Sequence, residues 1–168
     1  MAETVLRAEL AAAGLDGAVV VDSAGTGDWH VGDAMDPGAR AALASRGHDG
    51  SSHRARQFQR SWLPRYDLIL AMDSRNLADL RRMARAQGED TDRIRLFGEA
   101  GGLTEAPGGL GGDQGFVAPG GSRVGEGDIP DPWGGGPDEF GHVLDLLGAA
   151  APVIVARLAR MLKTAAAE

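Results

Sequence analysis

Three short apolar runs, each followed by a segment with helical spacing, limit what this chain can become. They are Ala18–Ser23 (AVVVDS), Asp67–Met72 (DLILAM) and Ile94–Phe97 (IRLF). Runs of that length, rich in branched aliphatics, suit strands buried on both faces of a parallel sheet. Before the first run, residues 2–13 carry Leu6, Leu10 and Ala13 at helical spacing, and Gly14 can supply a left-handed closing residue. Asp36-Pro37 places a capping carboxylate ahead of a first-turn proline, which predicts a helix through Ala39 and Leu43 that stops at Gly47. Leu77, Leu80 and Met83 or Ala84 mark a third helix, capped by Asp73, ended by Gly88, and with Arg81, Arg82 and Arg85 on its wet side. The last helix is expected from Pro137 to Lys163, with a stripe running from Phe140 through Leu147 and Ile154 to Met161 and a kink at Pro152. Strand and helix alternating in this way predict an α/β fold: an open parallel sheet with helices on both faces, in one domain spanning 1–168.

Composition narrows the function. A net charge of -7 would repel a phosphate backbone, so nucleic acid is excluded as a first reading. No uninterrupted apolar run approaches eighteen residues, and MAETVLRAEL lacks a signal-peptide core, so a cytoplasmic chain with no membrane partner is expected. The cysteine count is zero, which removes disulfides, thiolate metal ligands and thiol nucleophiles from these residues. Between Gly98 and Gly127 twelve of thirty residues are glycine, a composition that predicts a mobile surface insertion.

In open parallel sheets ligands bind beyond the carboxyl ends of the strands. The segments that leave those ends are SAGTGDWHVGD, MDSRN and, after the glycine-rich stretch, DIPDPWGG. All are polar, and two carry a tryptophan. His30, His48 and His53 lack the tight spacing of a metal site, so neither metal nor cofactor is expected.

Read in order, DSAGT, WHVGD with DPGA, SHRARQF, DLILAMDSRNL and DIPDPWGG resemble the low-molecular-weight protein-tyrosine phosphatases. The resemblance covers nearly the whole chain outside the glycine-rich stretch. It implies a four-stranded parallel sheet whose first, central strand leads into a C-x5-R phosphate-binding loop and then into the helix that opens this chain at Met1-Ala2-Glu3. The strand, the nucleophilic cysteine and the clamping arginine are absent from the 168 residues. The expectation is that they belong upstream of Met1, and that without them two strand edges are exposed and the fold is marginal or swapped.

The resemblance assigns Asp131 as general acid, protonating the leaving phenolate and later assisting water. Trp29, His30 and Trp133 flank the substrate's ring. Ser23 and His53 support the phosphate loop, and Arg54 or Arg56 lies near it. Asp128 competes with Asp131 but does not stand directly before Pro-aromatic. Phosphotyrosine protein or a small aryl phosphate is the implied substrate, with no hydrolysis expected from these 168 residues alone. The competing class is a non-catalytic phosphate-binding module. Arsenate reduction, a chemistry of same-fold relatives, needs redox cysteines that are not here.

Overall fold

The computed structural model describes residues 1–103 and 125–166. Five α-helices and two strands follow one another: α1 (Ala2–Ala12), α2 (Pro37–Ser45), β1 (Ile69–Ala71), α3 (Ser74–Arg85), β2 (Ile94–Leu96), α4 (Phe97–Ala100) and α5 (Pro137–Ala165). A 3-10 turn spans Arg60–Arg65. Helix boundaries obey local chemistry. Asp36 Oδ1 accepts the Gly38 and Ala39 N–H groups at 2.7 and 3.1 Å, and Asp73 Oδ1 accepts that of Asn76 at 2.6 Å. Gly14, Gly47 and Gly88 leave their helices with positive φ of 68°, 77° and 69°.

β1 and β2 pair in parallel, Ile69 with Ile94 and Ala71 with Leu96. Their side chains divide by the two-residue pleat. Ile69, Ala71, Ile94 and Leu96 pack with Leu80 and Ala84 of α3 and Leu63 of the 3-10 turn. Leu70 and Met72 lie against the other core, built from Val5, Leu6 and Leu10 of α1, Leu43 of α2, Phe97 of α4 and the buried stripe of α5. Helices therefore cover both faces of the sheet.

The strand expected over 18–23 is not laddered. Residues 19–24 carry no regular secondary structure but alternate between half-buried and exposed, and among the described residues Val20 to Ala24 make no backbone-to-backbone hydrogen bond. Val19 and Val21 still pack on the first core, whereas Val20, on the opposite side of the pleat, is 93% exposed. The physical reason is the absence of a neighbour. A strand needs a second backbone beside it, and the donors that reach this segment are side chains: Arg7 to the Val21 carbonyl and Arg56 to that of Ser23. Leu70 in β1 likewise has no backbone bond to any element but β2 among the described residues.

Two further expectations change. Phe97 begins a one-turn helix instead of ending a strand. The segment from Gly98 to Leu103 is part of the packed body: a Cβ on Gly98 would meet the Gly127 carbonyl oxygen at 2.4 Å, and one on Gly101 would meet the Ala150 Cβ at 2.2 Å. Close backbone approach, not mobility, is the use of these glycines. The rest of the expected insertion, residues 104–124, lies outside the described residues. α5 continues through Pro152 as one helix. Its 29 residues have the length and hydropathy of a spanning helix, but Phe140, Val143, Leu144, Leu147, Ala150, Ala151, Ile154 and Val155 form the wall of the core.

Candidate functional site

Three loops meet at the carboxyl end of β1, and the first turn of α3 ties them together. From residues 23–29, Thr26 Oγ1 donates to Asn76 Oδ1 at 3.1 Å. From the other side, Asp128 Oδ1 accepts both the amide and the hydroxyl of Ser74, at 2.8 and 2.7 Å, and the Ile129 amide donates to the Met72 carbonyl at 2.7 Å. The segments predicted to converge on this edge do so.

Asp131 sits exposed at the tip of the last of these loops. Its Oδ1 accepts the Trp133 amide at 3.0 Å, the local turn that Asp-Pro favours. Gly135 N–H then closes on the Pro132 carbonyl at 2.9 Å, with Gly134 at φ +77° in the position where such a turn needs a left-handed residue. Glu139 Oε2 accepts the Gly136 amide at 2.8 Å and fixes the start of α5. One carboxylate oxygen of Asp131 is thus used in the turn, and Trp133 beside it is 68% exposed. Behind the loop is a hollow of about 200 Å³ bordered by Asp131, Asp138, Glu139 and His142.

A second group gathers at the start of α1. Ser23 Oγ donates to Glu3 Oε2 at 2.5 Å, His53 Nδ1 lies 3.9 Å from the same oxygen, and Arg7 pairs with Glu3 Oε1 at 2.8 Å. Ser23 and His53 therefore converge on Glu3, to which the sequence alone assigns no role. Burial holds the His53 imidazole below its ordinary pKa; the Met1 ammonium adds to this and Glu3 opposes it. Arg56 reaches Asp22 at 3.2 Å and lies over the Trp62 ring, and Tyr66 donates to Asp22, so this loop is braced from two sides. Arg54 instead folds onto the carbonyls of Ser51 and His53.

Trp29 is 77% exposed, yet its ring rests on Gly27: a Cβ there would lie 1.7 Å from Trp29 Cζ3. His30 turns to Asp33, with Nδ1 to Oδ2 at 3.2 Å, on the open surface. The two groups, Asp131 with Trp133 and Ser23 with His53, are connected through the Thr26–Asn76 and Ser74–Asp128 bonds at either side of α3. No group of three or more metal-ligating side chains occurs among the described residues.

Such a layout, with polar loops at the carboxyl edge of a parallel sheet covered on both faces, defines an α/β protein whose ligand edge carries a carboxylate and exposed indoles. Residues 1–102 match the family of low molecular weight phosphotyrosine protein phosphatases. The chain is 39% identical over 167 residues to the low molecular weight protein-tyrosine-phosphatase of Streptomyces coelicolor, across 99% of this chain and 90% of that protein. It is 36% identical over 142 residues to the corresponding protein of Schizosaccharomyces pombe, across 84% and 76%. Among solved structures, a protein tyrosine phosphatase from Entamoeba histolytica superposes with a TM-score of 0.75 at 24% identity, over 95% of this chain and 87% of that one. YfkJ from Bacillus subtilis superposes with a TM-score of 0.73 at 27% identity, over 95% and 86%. The chain belongs to the low-molecular-weight protein-tyrosine phosphatase family. Its 168 residues contain no cysteine, so the chain as written cannot form a cysteinyl-phosphate.

Proposed function

We propose that these residues are the frame and proton donor of a protein-tyrosine phosphatase that works when a strand and C-x5-R loop precede Met1. What carries this reading is that Val19, Val21 and Leu70 of β1 pack on one core while, among the described residues, Val20 to Ala24 make no backbone-to-backbone hydrogen bond and Leu70 bonds no element but β2. A strand laid between them satisfies both edges, and the loop after it lands at the start of α1, where Ser23, His53 and Glu3 gather.

In this mechanism the thiolate attacks phosphorus and the bond from phosphorus to the aryl oxygen breaks. Asp131, as the acid, gives its proton to the departing oxygen. Water then attacks the phosphocysteine, Asp131 takes up the proton, the S–P bond breaks, and inorganic phosphate leaves. Trp29 and Trp133, both exposed, supply apolar surface for the substrate's ring. The test joins such a strand and loop before Met1 and follows phenol release from an aryl phosphate. Turnover is expected, and Asp131→Asn is expected to lower kcat by about 10²–10⁴. Unchanged kcat in that variant removes Asp131 from the role.

The second reading, a module that holds a phosphorylated partner without cleaving it, is favoured by the zero cysteine count. Saturable binding of a phosphotyrosine peptide to the 168-residue chain distinguishes it, because the phosphatase reading places the anion-binding loop outside these residues.

A further inference from the structure

We propose that Asp128 is a positioning residue for Asp131, clamping the proton-donor loop to the first turn of α3; this rests on the reading of Asp131 as the acid. The loop needs such a clamp because its own backbone offers little. Asp131 and Trp133 are exposed, Pro130 and Pro132 donate no hydrogen bond, and Gly127 at φ +80° and Gly134 at +77° bracket the segment.

Asp128 answers with both carboxylate oxygens. Oδ1 takes the amide and hydroxyl of Ser74 at 2.8 and 2.7 Å, and Oδ2 takes the Gly125 amide at 2.9 Å. Asp128 N–H closes the same turn on the Gly125 carbonyl at 3.1 Å. A Cβ on Gly125 would lie 2.9 Å from Asp128 Oδ2 and 3.0 Å from Ser74 Oγ, so the glycine leaves just enough room for the carboxylate between strap and helix. One residue later Ile129 is buried and its amide holds the Met72 carbonyl at 2.7 Å. Asp131 is two residues beyond that anchor. Because Ser74 shares its turn with Asn76, which holds Thr26 of the opposite loop, the clamp also sets the acid relative to the loop that carries Trp29.

The consequence is chemical as well as structural. A misplaced acid matters most when the leaving oxygen is strongly basic and must be protonated as it departs, and matters little for a stabilised phenolate.

Two measurements test this. In the 168-residue chain, Asp128→Ala is expected to speed amide exchange at Ile129 and Gly135 by tenfold or more while leaving Leu147 in α5 unchanged. Asp128→Asn, which keeps the Ser74 acceptor, is expected to restore part of the protection. In the chain preceded by the strand and loop, Asp128→Ala is expected to lower kcat/KM, which reports the step that expels the aryl oxygen, by about tenfold for a poor leaving group such as phenolate and by less than about twofold for p-nitrophenolate. Unchanged exchange at Ile129 and Gly135, an equal rise at Leu147, or equal kcat/KM losses for both leaving groups overturns the proposal. If Asp131→Asn itself leaves kcat untouched, the acid assignment fails, and the exchange data alone judge the clamp.

Discussion

Arg7 of α1 grips the Val21 carbonyl with two nitrogens, Nε at 3.1 Å and Nη2 at 2.6 Å. A guanidinium fork on a backbone carbonyl, in a segment that is unladdered, marks a strand edge served by side chains. Arg56 donates a single bond, from Nη2 at 2.8 Å, to the Ser23 carbonyl. Arg7→Ala removes this bond and the 2.8 Å pair with Glu3. The expected loss is about 1 kcal/mol in urea unfolding, modest because the group is largely exposed. A changed carbonyl 13C resonance at Val21 should accompany it, and an unchanged resonance there would show that Arg7 does not hold the edge.

The His53 shift gives stability a pH dependence with a defined sign. Burial first, then the Met1 ammonium, lowers the folded pKa below the unfolded value of about 6.5. Above that value both states are neutral and the group contributes nothing. As pH falls through it, the unfolded chain takes up a proton that the folded chain resists, so stability declines until the folded pKa is passed. His53→Gln should flatten the drop in urea midpoint between pH 7.5 and pH 5.5 relative to wild type. Parallel curves for the two proteins contradict the assignment.

Gly27→Ala should move Trp29 without unfolding the chain. The new methyl would occupy the space of Cζ3, but the colliding atoms belong to an exposed side chain that can swing away. A stability change below about 1 kcal/mol is expected, together with a shift of the Trp29 indole resonance. An unmoved resonance would mean that the ring does not rest on the glycine.

Much of this architecture was legible in the chain because its signals are local. Asp36-Pro37, Asp73 and the helix-ending glycines act within a turn of where they stand, and the pleat of β1 shows in DLILAM. What escaped depends on distant partners. Ala18–Ser23 has the composition of a strand, but laddering requires a neighbouring backbone that composition cannot supply. Gly98 and Gly101 have loop composition, and their packing is set by Gly127 and Ala150. Within the site, Asp131, Trp133, Ser23 and His53 were named from motif order. Glu3 was missed and Asp128 set aside, since their partners lie 20 and 54 residues away.

The central claim, that this chain supplies the frame and acid but not the attacking sulfur, is tested most directly by giving the folded 168-residue chain an aryl phosphate and measuring phenol release. The account predicts release no faster than in buffer. Multiple turnovers by this chain, abolished by Asp131→Asn, would contradict it.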